Sequence, residues 1–241
     1  MGLKEAGLRG SLRSVSTGVP AIPGSVVEHM EVYWPMDEGS GGETLDTLSG
    51  NDRQIDLQNG AGWTTTDFFT EVATTYDGVD DRFVATDDIY NAQDVSLGGW
   101  FRFFSADDFG RIFLTQPPTQ SVPDNGIRVS FSGSGTDEFR YAHFNGGTQD
   151  DIDYNNPMSF DGSWFFITVS ASGDDADVRI WDRTTQIFNE SVSLSRGITN
   201  EQLTAMYTTS QPTEGDVAAY MANTSSAVAE SQWADIWEDT R

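Results

Sequence analysis

The chain has 241 residues, which is enough for one large β-sandwich without a second core. It contains no cysteine, and this excludes disulfides, thiolate metal sites and a cysteine nucleophile. Its 38 acidic residues outnumber 13 basic ones and give a formal net charge of -25, which disfavours nucleic acids and anionic membranes as partners.

The basic residues are almost all arginine, and Lys4 is the single lysine. Repulsion among so many carboxylates would strain a compact fold in dilute buffer. In molar salt the Debye length falls to ~3 Å, and most of that repulsion disappears. The charge pattern therefore indicates a halophilic protein. An acidic secreted protein in a calcium-rich medium is the alternative, although such a protein does not normally avoid lysine so completely.

Residues 1–24 are predicted to form an extended basic N-terminal arm. They contain Lys4, Arg9 and Arg13 against Glu5, several glycines and prolines, and little hydrophobic periodicity. Two interpretations remain open: a frayed terminus, or an assembly arm that orders against an acidic neighbour such as a sister subunit. The arm lacks the apolar stretch of a secretory signal, and no segment approaches the ~20 apolar residues of a membrane span. We therefore expect synthesis in the cytoplasm and no membrane insertion.

Residues 25–241 are predicted to form one all-β domain. Short apolar runs, several with alternating large side chains, are separated by turn sequences rich in Gly, Asn, Asp and Ser. Such runs, without helical periods between them, are typical of an antiparallel jelly-roll β-sandwich. The predicted strands cover residues 26–34, 71–76, 81–85, 95–104, 111–114, 126–131, 139–144, 163–170, 177–181, 186–189, 204–208 and 216–222.

A short C-terminal helix is predicted after the last strand. Ser225 or Ser226 provides its N-cap. Four apolar side chains then fall near one helical face, which predicts that the helix packs on the margin of the sandwich. They are Val228, Trp233, Ile236 and Trp237.

Four segments, in chain order, resemble laminin-G-like domains of the concanavalin A-like lectin superfamily. An aromatic strand leads into a D-E-G-S-G turn at residues 32–41 and then into the S-G-N-D loop that ends at Asp52. The segment Y-D-G-V-D-D-R-F-V follows at residues 76–84, and the tryptophan strands lie at 95–101 and 162–169. The resemblance covers roughly residues 30–222. It implies a fold of the concanavalin A-like lectin/glucanase type and says little about the ligand, because fold does not fix function.

The whole chain also resembles, at group level, open reading frames of tailed viruses that infect halophilic archaea. The shared features are a short arm, a lectin-like domain and an acidic, lysine-poor composition. This resemblance implies a virion structural protein, such as a capsid turret (capsid decoration), spike or tail-fibre subunit. Its arm would contact other virion proteins and sister subunits in a homo-oligomer, and its outer domain would touch host surface glycans in host attachment. A stand-alone halophilic carbohydrate-binding module is the alternative.

The acidic run before residue 156 is the best candidate for a ligand-binding site. Hydrolases of the superfamily carry alternating carboxylates on one strand, and Asp151 and Asp153 would share a strand face. No glutamate stands in the place of the acid or nucleophile, so we expect no enzymatic activity. The same run, with Tyr154 and Asn155 at expected loop positions, is predicted to contact a saccharide.

A structural cation such as Ca²⁺ is also considered, because clustered carboxylates and turn carbonyls supply the oxygens that it needs. The resemblance places the site where the turn after the first strand meets the last strand, at Asp37 and Asp216, with Asp77 contributing. The alternative is that these are solvated surface acids, or that Asp77 caps its turn. The two histidines, His29 and His143, are expected to be ordinary residues of the sandwich, since no paired motif for zinc is present.

Overall fold

Two antiparallel sheets, each with eight strands in the described part of the chain, enclose the core in the computed structural model of the protein. The structure describes residues 22–50, 53–68, 70–85, 94–106, 110–115, 126–132, 138–145, 148–193, 203–205, 213–223 and 225–241. The predicted all-β, jelly-roll sandwich is confirmed. Lys4, Arg9 and Arg13 lie outside the described residues, so the predicted arm and its boundary at residue 24 stay predictions.

The chain crosses several times between the two sheets. In chain order they are β1 Val32–Trp34, β2 Glu43–Leu45, β3 Gln54–Gln58, β4 Gly62–Thr65, β5 Val72–Asp77, β6 Arg82–Ala85, β7 Asp94–Ala106, β8 Arg111–Thr115, β9 Gly126–Ser132, β10 Glu138–Asn145, β11 Thr148–Asn155, β12 Trp164–Ser172, β13 Asp175–Trp181, β14 Gln186–Ser193, β15 Leu203–Ala205 and β16 Thr213–Asn223. The first sheet has the order β14-β13-β12-β7-β16-β5-β4, and β1 also pairs with β16. The second sheet has the order β11-β10-β9-β8-β15-β6-β3-β2.

The inner faces of the two sheets form the main core. Alternation along β7 places Phe101 and Phe103 in this core, while Trp100 belongs to a second cluster on the outer face. From the second sheet, Phe131 and Phe139 complete the inner layer. Burial on both faces of β7 explains why its sequence is apolar almost throughout.

Two helices cover the outer face of the first sheet, α1 Gly24–His29 and α2 Glu230–Thr240. Trp233 and Ile236 of α2 are fully buried there and belong to the same cluster as Trp100 and Phe166. The predicted C-terminal helix and its apolar face are thus present. In the described part of the chain, neither helix has the length and apolar composition needed to cross a membrane.

Three local predictions need correction. The strand predicted over residues 26–34 is wrong in its first half, because residues 24–29 form α1 and bury Val26 and Met30 with a helical spacing of four. Ser225 and Ser226 do not cap α2; both bind the side chain of Asn223. The predicted set also omits β2, β3, β4 and β11, whose sequences have few large apolar residues.

Candidate functional site

Polar side chains lie in register on the outer face of the second sheet, across strands β8 to β11. Cross-strand pairing places Arg111, Ser130, Arg140 and Asp153 in one row and Arg128 with Asp151 in the next. Directly opposed residues of antiparallel strands have Cβ atoms about 5 Å apart, so neighbouring side chains meet. We call this surface the arginine face; it comprises Arg111, Arg128, Ser130, Arg140, Asp151 and Asp153.

Arg140 holds two of the carboxylates of β11, those of Asp151 and Asp153. Its Nε lies 2.6 Å from Oδ1 of Asp153, and its Nη2 lies 2.8 Å from Oδ2 of the same residue. The same Nε is 3.1 Å from Oδ2 of Asp151. The hydrogen bonds to Asp153 raise the pKa of Arg140 above its ordinary value. The guanidinium thereby fixes two carboxylate groups, which are hydrogen-bond acceptors, at the edge of the sheet.

Arg128 lies deeper on the same face. Its Nη2 donates to Oε1 of Gln149 at 3.0 Å, and its guanidinium carbon lies 5.0 Å from the centroid of the Phe144 ring. Burial, together with the charges of Arg111 and Arg140, lowers the pKa of Arg128 to about 10. The negative charges of Asp151 and Asp153 act in the opposite direction, and the guanidinium itself donates to a neutral amide.

Solvent exposure falls across the arginine face from the edge strand inward. Asp151 and Asp153 are exposed and Arg140 is half-buried. Arg128 is 9% exposed, and Ser130 is fully buried. The face therefore presents carboxylates to solvent at the sheet edge and positive charge at a shielded inner end.

The structure brings together some of the predicted ligand residues. Asp151 and Asp153 share the outer face of β11, as the alternation predicts, and Asn155 lies exposed at the end of that strand. The expectation that Tyr154 and Asn155 lie on a loop is wrong, because both are strand residues. Tyr154 packs against the main core instead, with its ring 5.0 Å from that of Phe188.

An acidic cluster lies at the turn between β5 and β6. Ligand oxygens of Asp77, Asp80 and Asp81 lie within 4.8 Å of one another, the sole group of three such residues in the described part of the chain. The predicted ligand Asp77 is therefore near other carboxylates, but Asp37 and Asp216 lie outside the group. Burial raises the pKa of Asp37, which is half-buried beyond β1.

Asp81 is the buried member of this cluster. Asp81 is 6% exposed. Its Oδ2 accepts a hydrogen bond from the backbone N–H of Asp77, and its Oδ1 has no hydrogen-bond partner among the described residues. A Cβ on Gly60 would lie 2.8 Å from that Oδ1, and the positive φ of +129° there also favours glycine. Burial, followed by the charges of Asp77 and Asp80, raises the pKa of Asp81. Three carboxylates, one of which has a buried oxygen without a hydrogen-bond partner among the described residues, suit a hard cation.

Asp216 forms a buried ion pair within the first sheet. It is 1% exposed, and its Oδ2 lies 2.5 Å from Nε of Arg102. The guanidinium carbon of Arg102 is 4.9 Å from the ring centroid of Trp164 and 5.4 Å from that of Phe104. This buried ion pair anchors β16 to β7, and we assign Asp216 to the fold rather than to the acidic cluster.

His143 fits the expectation of an ordinary sandwich residue, whereas His29 lies in helix α1 and not in a strand. His143 is fully buried, and its ring nitrogen hydrogen-bonds the hydroxyl of Tyr141. Burial raises the pKa of Tyr141 well above its ordinary value. His29 ends α1 and lies 3.1 Å from the side-chain nitrogen of Gln232.

A cavity lies beside α2 on the outer face of the first sheet. This cavity of about 380 Å³ is lined by serine hydroxyls, by Asp175 and Asp177 and by Ala227. Asp177 is already engaged, because it contacts Arg179 and accepts a hydrogen bond from Ser191. The cavity has no aromatic lining and carries negative charge, so we call it the acidic groove.

Comparison with known proteins establishes the fold of the chain but not its function. No protein-family model matches the chain, and none of the curated proteins matches it by sequence. Solved structures do match, at identities so low that the likeness speaks for the fold alone. The chain spans about half the length of the botulinum neurotoxin binding domains that it matches.

Three of the similar structures contain a bound ligand. The binding domain of botulinum neurotoxin DC in complex with SialylT is 12% identical, with a TM-score of 0.62 over 88% of this chain and 51% of that one. Domain 4 of AbnA, an extracellular arabinanase from Geobacillus stearothermophilus, in complex with arabinotriose, is 12% identical, with a TM-score of 0.60 over 86% and 98%. The VIP36 lumenal domain in its Ca²⁺/Man3GlcNAc-bound form is 11% identical, with a TM-score of 0.51 over 73% and 86%.

Proposed function

We propose that the protein is a non-enzymatic glycan-binding domain and that saccharides bind at its arginine face. The observation that carries the proposal is the cross-strand array itself: exposed carboxylates of Asp151 and Asp153 fixed by one guanidinium at a sheet edge. Sugar hydroxyls pair with such fixed carboxylate acceptors and guanidinium donors. Support also comes from similar folds that hold arabinotriose or Man3GlcNAc.

Removing the carboxylates of Asp151 and Asp153 should weaken saccharide binding strongly. A hydrogen bond to a charged group contributes about 1.5–3 kcal/mol, so Asp151→Ala with Asp153→Ala should lower affinity at least about 100-fold. The ligand is the saccharide with the strongest signal on a glycan array, and calorimetric titration in ~2 M salt measures its affinity, since surface charges are well screened there.

Asp174→Ala is the matched control, because Asp174 is exposed on the turn between β12 and β13, away from the arginine face. It should leave the affinity unchanged. Equal affinity of the double variant and the unmodified protein would contradict the proposal. Release of reducing ends by the unmodified protein, lost in the double variant, would instead favour a hydrolase.

We propose further that Ca²⁺ or a similar cation binds at Asp77, Asp80 and Asp81. Because burial raises the pKa of Asp81, the cation-free fold binds the proton of this carboxyl more tightly than the unfolded chain does, and this stabilises the fold at low pH. That contribution to stability is full below the ordinary pKa of aspartate and is lost as the pH rises through the raised folded-state pKa. Ca²⁺ would offset the cost of ionising Asp81, because it supplies a positive charge beside the carboxylate.

Asp81→Asn should therefore be more stable than the unmodified protein at neutral pH without Ca²⁺, since an amide oxygen can still accept from Asp77. Added Ca²⁺ should raise the melting temperature of the unmodified protein and leave that of the variant unchanged. Thermal unfolding with chelator and then with Ca²⁺ measures both effects. The same response to Ca²⁺ in both proteins would place the cation elsewhere.

The broader proposal is that this domain is the outer part of a virion structural protein of a halophilic virus, either a capsid turret, a spike or a tail-fibre subunit. Its support is the charge of -25 with one lysine, and the basic arm that precedes the sandwich. The acidic groove at Asp175 and Asp177 offers a complementary surface for the arm of a sister subunit.

Light scattering tests the virion proposal by comparing the mass of the full chain with that of a chain without residues 1–21. An oligomer that becomes monomeric without these residues supports the proposal. A monomer in both cases favours a stand-alone module.

A further inference from the structure

Two hydrogen-bond donors at the shielded end of the arginine face have no acceptor. The Oγ of Ser130 and the Nε of Arg128 are buried, and neither has a hydrogen-bond partner among the described residues. An unsatisfied buried polar group costs about 1–3 kcal/mol, and native structures contain few of them. Two on one face of β9, two residues apart, therefore indicate a site for a ligand that brings an acceptor.

The charge around these donors is positive. Cross-strand pairing places Ser130 between Arg111 and Arg140, and Arg128 follows on the same face. Asp151 and Asp153 both contact Arg140, whereas Arg128 donates to a neutral amide. The charges of Arg111, Arg128 and Arg140 thus lie close together at the inner end of the face, offset in part by Asp151 and Asp153, in a protein whose net charge is -25. Such a place repels cations and attracts a compact anion.

We propose that Arg128 and Ser130 form an oxyanion site that takes the carboxylate or sulfate group of an acidic saccharide. A guanidinium matches the geometry of planar and tetrahedral oxyanions, and a serine hydroxyl adds one further donor. The exposed carboxylates at the other end of the face bind hydroxyl groups of the neighbouring sugar residues. This inference rests on the proposed glycan binding and specifies its ligand class.

The test compares a uronic acid trisaccharide with a neutral trisaccharide of the same linkage, by calorimetric titration in constant salt. The unmodified protein should prefer the acidic trisaccharide by at least about tenfold, as expected for charge-assisted hydrogen bonds. Ser130→Ala should abolish most of that preference, measured as the ratio of the affinities for the acidic and the neutral trisaccharide. The variant should fold at least as stably as the unmodified protein, because it removes an unsatisfied buried hydroxyl.

Arg128→Gln is the second variant, and it should reduce the preference further. Ser163→Ala is the matched control, at an exposed serine before β12. Inorganic sulfate is the third probe: it should compete with the acidic trisaccharide in the unmodified protein and not in Arg128→Gln. A structural role for Ser130 would change stability in Ser130→Ala without changing the ratio of the two affinities.

The outcomes separate this inference from the proposed function. Equal affinities for the acidic and neutral trisaccharides, both lost in the variant without Asp151 and Asp153, would overturn the oxyanion site and leave glycan binding intact. Binding of sulfate without binding of the acidic trisaccharide would mean a free inorganic anion and would also overturn the inference. Binding of neither trisaccharide, nor of any arrayed glycan, would contradict the proposed function as well.

Discussion

Trp233→Ala should destabilise the fold more than any other single truncation in α2. Trp233 is fully buried, donates from Nε1 to the hydroxyl of Ser170 at 2.8 Å, and packs edge-on against Phe166. A Cβ on Gly98 would lie 2.6 Å from the indole ring, so the ring fits against bare backbone of β7. Loss of a buried tryptophan costs about 3–5 kcal/mol, and the lost hydrogen bond to Ser170 adds to it.

Urea unfolding at constant salt measures this cost, with fluorescence and near-ultraviolet circular dichroism as the signals. The midpoint should fall while the slope stays the same, because the surface exposed on unfolding barely changes. Val27→Ala is the control, since Val27 in α1 is 53% exposed and its truncation should cost under about 0.5 kcal/mol. A loss below 1 kcal/mol in Trp233→Ala would mean that α2 does not seal the first sheet.

Arg102→Ala should also be strongly destabilising, through electrostatics. It leaves the carboxylate of Asp216 buried at 1% exposure without its guanidinium partner, and Oδ1 of that carboxylate already lacks a partner among the described residues. Breaking a buried ion pair on one side costs about 3–5 kcal/mol. Contacts of the guanidinium with Trp164 and Phe104 are lost as well.

The double variant Arg102→Met with Asp216→Asn separates the two contributions. It removes both charges and keeps most of the volume, so it should recover much of the stability lost in Arg102→Ala. Equilibrium unfolding of the unmodified protein, of Arg102→Met, of Asp216→Asn and of the double variant gives the coupling energy directly. A double variant as unstable as Arg102→Ala would show that packing, and not the stranded charge, determines the loss.

Sequence patterns predicted the β-sandwich because alternating apolar residues and turn sequences are local signals. Alternation placed Asp151 and Asp153 on one face of β11, as the structure confirms. The helix α1 was missed since six residues, Gly24–His29, carry too little helical period to stand out from a strand. Polar strands such as β3 also lack the apolar contrast on which the prediction depends.

The arginine face could not be predicted, because it depends on register between strands. Arg111, Ser130 and Arg140 are distant in sequence and meet only through the pairing of β8, β9 and β10. That register depends on the hydrophobic pattern of all three strands together and on the turns between them, so the pattern of any one segment does not reveal it. The acidic cluster is different: Asp77, Asp80 and Asp81 are neighbours in the chain, and the positive φ at Gly78 folds them together. The turn sequence alone could have indicated that group.

Glycan binding at the arginine face is tested most directly by mapping amide chemical shifts as the tightest-binding arrayed saccharide is added. The protein is 26.4 kDa, within reach of such spectra after deuteration. The account predicts shifts concentrated in β9, β10 and β11, around Arg128, Arg140 and Asp153, with α1 and α2 unchanged. Shifts confined to the acidic groove at Asp175 and Asp177, or no shifts with any saccharide, would contradict it.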